Sequence, residues 1–237
     1  MMTQANPRCD VIMLATPEID EYSSHSRSLW SRYCAARGYQ FHHYSDRLVP
    51  DMHVNWSKIE MVRRHLAASD ADVVTLVDAD TYVCNPGMSL TGLLNEAPGK
   101  QMLFSRDMKR YTRFELPLDL RLAIAHGAWR LPNAGFIVMK NSDFAKYIFD
   151  AWLDLARNRL KHLSDKHPRN QRVLWRGLYF QNRDKIGLLD GRITRLQSED
   201  QVDRALHQGC DVLHLRGGMS HAGVERLTNI LARGQDR

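Results

Sequence analysis

Asp78-Ala79-Asp80 stands at the end of the apolar run Val73-Val74-Thr75-Leu76-Val77, and the type and spacing of its two acids suggest a chemistry. Side chains two apart in extended chain point the same way, so both carboxylates are expected on one side. Such a pair suits a hard divalent cation, Mg2+ or Mn2+, and an ion held this way commonly holds substrate phosphates too. A second candidate lies far downstream. Val212-Leu213-His214-Leu215-Arg216-Gly217-Gly218 puts an imidazole at a strand end, next to a glycine turn and a helix start. Histidine favours Mn2+ over Mg2+, and the N–H groups of a glycine turn can meet phosphate oxygens. Both features have plainer explanations. The aspartates can cap the turn before Asn85-Pro86, and His214, one of eleven histidines, can be a satisfied core residue.

The elements that must position these groups follow from hydrophobic periodicity. Apolar runs alternate with helical repeats, the mark of an α/β protein. Strands are expected at 9–16, 39–44, 73–78, 101–105, 134–139, 186–189 and 211–215. The 73–78 run is apolar on both faces and is therefore expected at the centre of a covered sheet. Helices are expected at 21–37, closed by Gly38, at 54–68 with Trp56, Ile59, Val62 and Leu66 on one stripe, and at 143–160 behind Asn141-Ser142-Asp143. Further helices are expected near 199–207 and after Gly217-Gly218. The stretches 106–132 and 161–184 lack clear period and are expected to decorate the sheet. No linker composition interrupts the chain, so 1–237 is expected to be a single domain with a central, mostly parallel sheet flanked by helices. In open sheets of this kind the ligand crevice lies beyond the carboxyl ends of the strands, where Asp78 falls.

Composition narrows the function classes. The chain has 237 residues, 43% of them hydrophobic and 25% charged, which excludes a disordered tail or a fibre. No apolar window is long enough to span a membrane, and the first residues lack the pattern of a secretory signal, so a cytoplasmic protein is expected. Four scattered cysteines suit reduced thiols and argue against a cysteine zinc site. The net charge of +6 is carried mostly by arginine, whose fork binds phosphate well. The arginines are dispersed and no nucleic-acid motif is present, so a specific nucleic-acid partner is not expected. The arginine-rich stretch Lys109–Arg130 leaves room for a peripheral membrane contact, although a solvated face explains it more simply.

Two enzyme classes place paired acids at a strand end. Phosphohydrolases of the haloacid-dehalogenase type use D-x-D-x-[TV] after an apolar strand, and Asp78-Ala79-Asp80 with Thr81 is the candidate match that keeps such an enzyme as the alternative, although their strand is usually the first of the chain. They also need a second acidic pair downstream, and here Asp190 and Asp211 stand alone. Nucleotide-sugar glycosyltransferases of the GT-A fold use D-x-D to hold a divalent ion on the donor diphosphate, often with a C-terminal histidine. A longer series of segments runs through the chain: Leu14-Ala15-Thr16, Tyr33-Cys34-Ala35-Ala36-Arg37-Gly38-Tyr39-Gln40-Phe41 and Trp56-Ser57-Lys58. It continues with Leu76-Val77-Asp78-Ala79-Asp80, Asn85-Pro86, Asn133-Ala134-Gly135-Phe136-Ile137-Val138-Met139-Lys140-Asn141-Ser142, Trp152, His214 and Gly217. In these residues and their order the chain resembles glycosyltransferase family 34, which includes yeast α-galactosyl- and mannosyltransferases and plant xyloglucan xylosyltransferases.

The resemblance implies a retaining, metal-dependent transferase. Its donor would be a nucleoside-diphosphate sugar, most often a UDP-sugar, and its acceptor a glycan or glycolipid. By position Asp78, Asp80 and His214 would hold Mn2+ (or Mg2+). Ala15 and Thr16 would line the nucleoside site, Lys58 would lie near the donor, and Ala79 and Gly217 would sit beside its phosphates. Asn133, Asn170 and Gln171 would face the sugar. Two departures stand out. Where the family carries an acid before that glutamine, this chain has Asn170, which raises the alternative of a degenerate transferase that binds donor without transfer. A lysine that often follows the final histidine is also absent, with Arg216 or Arg226 as stand-ins.

Overall fold

Strands that are apolar on both faces must be covered on both faces, and this settles the centre of the molecule. In the computed structural model, which describes residues 7–107, 131–189, 191–196 and 198–235, β1 (Cys9–Leu14), β2 (Gln40–Tyr44) and β3 (Val73–Asp78) are parallel. With β5 (Met102–Arg106), β6 (Pro132–Lys140) and β7 (Ile186–Leu189) they form a six-stranded sheet of order β2-β1-β3-β6-β5-β7. Strand β6 runs antiparallel to both its neighbours, and β5 pairs with β7 in parallel. A small second sheet joins β4 (Thr81–Val83), β8 (Ile193–Leu196) and β9 (Val212–Leu215) in the order β4-β9-β8.

The alternation of side chains feeds two cores. Val11, Met13, Val73 and Val77 enter one; Ile12, Val74 and Leu76 enter the other. Helix α1 (Asp20–Arg37) covers the first core with Leu29, Trp30, Tyr33 and Cys34, and stops at Gly38, whose φ of 69° is the left-handed conformation that glycine adopts without steric cost. Helix α2 (Asn55–Ala68) covers the second with Trp56, Ile59, Val62 and Leu66. After the short α3 (Leu90–Asn95), helix α4 (Asp143–Arg157) adds Ile148 and Trp152 to that second core. Ser142 caps α4 by accepting from the Ala145 N–H. Ser142→Ala is expected to cost about 1 kcal/mol, read as a lower urea midpoint at unchanged m-value.

The segment 161–184 departs from the expectation of surface decoration. It is largely helical: α5 (Lys161–Ser164) and α6 (Asn170–Leu174) lead into a π-helical turn, Trp175–Tyr179. Val173, Leu174 and Trp175 are buried in the second core, and the Trp175 Nε1–H donates to the Pro132 carbonyl at 2.7 Å. Its helices are too short for a 3.6-residue period to register. Strands β4 and β8 and helix α3 escaped sequence analysis for the same reason. Of the segment 106–132, residues 108–130 lie outside the described residues, and with them the basic stretch Lys109–Arg130. The four cysteines are buried and free. Beyond β9, α7 (Val202–His207) has already passed and α8 (His221–Gln235) follows the glycine turn. Among the described residues no helix is long and apolar enough to cross a membrane.

Candidate functional site

From β1 the chain moves outward to β2, and β3 lies on the opposite side of β1, so the connections diverge at the carboxyl ends of β1 and β3. A crevice opens at such a switch point. Here it is a cleft of about 260 Å³ whose walls include Leu14, Thr16, Tyr22, Lys58, Asp78, Ala79 and Asp80. Strand β3 ends at Asp78, and the chain turns immediately through Ala79-Asp80 into β4. The two carboxylates therefore converge through a turn and not through the pleat of an extended strand. The turn is braced by the Thr81 hydroxyl, which donates to the Asp78 carbonyl at 2.6 Å. The acidic side chains themselves face other groups.

His214 reaches the pair because β9 runs antiparallel to β4, with Thr81 opposite His214. The Leu215 N–H donates to the Asp80 carbonyl at 3.0 Å, which locks this register. One ligand atom from each of Asp78, Asp80 and His214 falls within 4.8 Å of the others. His214 Nε2 lies 3.2 Å from Asp80 Oδ1, and the Lys58 ammonium pairs with Asp78. Lys58 also donates to the Ala134 carbonyl at 3.0 Å. Burial by itself would raise the Asp80 carboxyl, but His214, Lys58 and the Gly217 N–H together hold it below the ordinary value. Tyr22 shifts the other way: burial first, then the charges of Asp80 and Asp78, raise its hydroxyl, which stays protonated as a donor.

A bulge in β6 ties these groups to the rest of the site. Phe104 pairs with Ile137, yet the next residue, Ser105, pairs with Asn133, so Ala134, Gly135 and Phe136 have no partner on β5. Bulges of this kind re-aim backbone groups next to functional sites. The Asn133 side-chain oxygen accepts from the Gly135 N–H at 2.8 Å and fixes the bulge. Ala134 gives its carbonyl to Lys58 and its N–H to Gln171 Oε1, at 3.0 Å. Gly135 lies against the imidazole: a Cβ there would sit 2.2 Å from His214 Cε1 and 2.7 Å from Nδ1. Only glycine lets the ring occupy that place.

The structure thus gathers Lys58, Asn133, Gln171 and His214 around one backbone bulge, with Asp78 and Asp80 on its cleft side. Asn170 is buried, and its side chain serves the start of its own helix by accepting from the Gln171 N–H at 2.8 Å. Its Nδ2 has no partner among the described residues. Ala15 is buried behind the cleft wall, hydrogen-bonded through its backbone to β2, while Thr16 lines the cleft and its hydroxyl bonds Glu18. Gly217, at φ 84°, supplies the N–H that reaches the Asp80 carboxylate. Arg226 is paired with Asp203, and Arg216 is exposed. Tyr22, Asn55 and Asp107 were not singled out by sequence. The first two line the cleft. The third puts a buried carboxylate 3.4 Å from Gln171 Nε2 and 3.3 Å from the Arg195 guanidinium. None belongs to a motif, and no sequence signal marks them.

A family model described as the galactosyl transferase GMA12/MNN10 family matches residues 8–222. No curated protein sequence matches the chain. Among solved structures it is similar to a glycosyltransferase involved in the glycosylation of the major capsid of PBCV-1, at 12% identity and a TM-score of 0.68, over 94% of this chain and 100% of that one. It is also similar to the galactosyltransferase LgtC, solved in complex with donor and acceptor sugar analogues, at 15% identity and a TM-score of 0.56, over 94% and 95% of the two chains. Mouse xyloside xylosyltransferase 1 matches at 12% identity and a TM-score of 0.50, over 86% of this chain and 97% of that one. At these identities the likeness carries the fold, which is the GT-A type.

Proposed function

The chain belongs to the galactosyl transferase GMA12/MNN10 family and is a glycosyltransferase, and we propose that it transfers a hexose or pentose, with retention of anomeric configuration, from a UDP-sugar to a glycan or glycolipid. The observation that carries this reading is the convergence of Asp78, Asp80 and His214 at one cleft. Two carboxylates and an imidazole form a donor set that fits Mn2+, and these three residues would hold it. When bound, a divalent ion neutralises the charge that gathers on the leaving diphosphate.

The chain's own groups add to that stabilisation. Lys58 supplies a fixed ammonium, Gly217 an N–H, and Tyr22 a protonated hydroxyl, all facing the carboxylate pair. Leu14, Thr16 and Ile19 would form the nucleoside end of the cleft, with Ala15 buried behind them and the small Ala79 beside the carboxylates. Gln171, oriented by the Ala134 N–H, would present its amide to the sugar, with Asn133 and Asn170 holding the bulge and helix that aim it. On this reading residues 1–237 act as one catalytic domain. Gln171→Ala is expected to lower kcat roughly 100-fold, the cost of a misplaced reacting geometry, with little change in the KM for donor. Steady-state kinetics against donor concentration check that split.

The phosphohydrolase reading loses its support. Family membership stands against it, and Asp211 is occupied by Asn85 Nδ2 at 2.6 Å and Arg192 at 3.5 Å, while Asp190 lies outside the described residues. Incubation with a panel of nucleotide sugars and Mn2+, followed by NMR of the product's anomeric proton, tests the proposal. An α-linked product from an α-linked donor is expected. A β-linked product would refute retention, and donor binding without any turnover would favour the degenerate transferase.

A further inference from the structure

Among the described residues a second cluster of metal-ligating groups lies outside the cleft: Asp10, His42 and His65. They come from three elements that the fold fixes independently, the start of β1, the middle of β2 and the last turn of α2. Asp10 is four residues of strand, about 13 Å, from Leu14 at the cleft wall. His65 Nε2 lies 2.9 Å from Asp10 Oδ2 and His42 Nε2 lies 3.6 Å from the same oxygen. All three ligand atoms fall within 4.8 Å of one another.

We propose that Asp10, His42 and His65 form a zinc site, separate from the donor cleft and independent of the reading of that cleft. Zinc bonded at about 2.0–2.1 Å in tetrahedral geometry sets its ligand atoms roughly 3.3 Å apart, and the two separations from Asp10 straddle that figure. Two imidazoles and a carboxylate select zinc over Mg2+ or Ca2+, which prefer oxygen. The surrounding groups also fit. Ser69 Oγ donates to Asp10 Oδ2 at 2.6 Å, and the Tyr44 hydroxyl meets His65 Nδ1 at 2.8 Å. Ligands oriented by such outer hydrogen bonds are the rule in zinc sites. With His65 Nε2 on the ion, the ring proton sits on Nδ1 and is donated to the Tyr44 oxygen, since a hydroxyl accepts as well as it donates.

The independent observation is His42. Its Nε2 is buried and has no hydrogen-bond partner, although it points into the cluster. A hydrogen-bonded network of Asp10, His65, Ser69 and Tyr44 is complete without it and leaves that nitrogen unexplained. The His42 side chain is 38% exposed while its Nε2 edge faces inward, so the cluster lies just behind the ring, and a water as fourth ligand would enter past it. The ion would clamp the end of α2 to the sheet, two helical turns from Lys58 on the same helix.

Calorimetric titration of Zn2+ into untagged, metal-stripped protein tests the site. Asp78→Asn/His214→Ala serves as background, so that the donor cleft does not contribute. One equivalent of zinc is expected, with Co2+ giving the visible bands of a four-coordinate ion. Adding His42→Ala should weaken zinc at least 10-fold, the lower end of what outer-shell losses alone cost. His42→Gln, which keeps bulk and polarity, should do the same if His42→Ala disturbs the metal-free fold. No zinc uptake in the background protein, or uptake unchanged by both His42 variants, would overturn the proposal.

Discussion

Asp80→Asn is expected to reduce sugar transfer on the order of 10³-fold while leaving the protein folded. The carboxylate sits where three positive or hydrogen-bonding groups converge: His214 Nε2 at 3.2 Å, Lys58 through its neighbour Asp78, and the Gly217 N–H. Those groups outweigh the burial that would otherwise raise its proton affinity, so it is an anion at neutral pH. An amide of the same shape keeps the packing and removes the charge. If the pair holds the metal that meets the diphosphate, the loss falls on kcat/KM at every Mn2+ concentration that saturates the wild type. His214→Ala combined with Asp80→Asn should cost little more than Asp80→Asn alone, because groups acting on one ion are not additive. Initial rates of nucleotide release over a Mn2+ series check both statements. Full activity of the single variant would remove Asp80 from the site.

Gly135→Ala is the second large effect, and it requires no change to any group with chemistry of its own. The added methyl would lie 2.2 Å from His214 Cε1 and 2.9 Å from Asn133 Oδ1. Neither contact can be held, so the imidazole must move or the bulge must open. A shift of about 1 Å in a reacting arrangement is enough for a loss of roughly 100-fold. Three consequences separate displacement from simple destabilisation. The Mn2+ concentration for half-maximal activity should rise. The melting temperature without metal should fall only modestly, since the side chain meets a ring beside the cleft and not the apolar core. In a His214→Ala background, where the ring is gone and only the Asn133 contact remains, Gly135→Ala should cost far less in rate than it does in the wild type. A Gly135→Ala protein with wild-type metal dependence would show that the ring does not depend on this contact.

The parts of the fold that sequence makes legible are those with long, uniform periods. β1, β3 and β6 are apolar on both faces, α2 and α4 carry unbroken stripes, and Gly38 closes α1 where a left-handed residue was needed. Asp78, Asp80 and His214 stand out singly by residue type and strand-end position, the family resemblance joins them into one set, and the structure brings their ligand atoms together. The reason they meet is a different one: a turn after Asp78 and the pairing of β9 with β4, a three-residue strand too short to show a period. The β6 bulge is illegible for a related cause. Nothing in Asn133-Ala134-Gly135 states that three residues will leave the ladder, or that Gly135 is there for the sake of a ring 79 positions away. Asp107 and Tyr22 are single residues without a motif, visible only once distant segments have packed. Asn170-Gln171 sits in a helix of five residues, and its burial follows from Trp152 and Trp175, whose indole N–H groups bond the Asn170 and Pro132 carbonyls.

The central claim is that this cleft binds a nucleoside diphosphate through a divalent ion held by Asp78, Asp80 and His214. Its most direct test is the melting temperature with UDP, with and without Mn2+, for the wild type and Asp80→Asn. A ligand at 100 times its Kd that binds only the folded state adds about 2.7 kcal/mol, a rise of roughly 5–10 °C for a chain of this size. The account predicts that rise for the wild type with UDP and Mn2+ together, and its absence when either Mn2+ or the Asp80 carboxylate is removed. An equal rise without Mn2+ or in Asp80→Asn, or no rise with UDP and Mn2+ in the wild type, would contradict it.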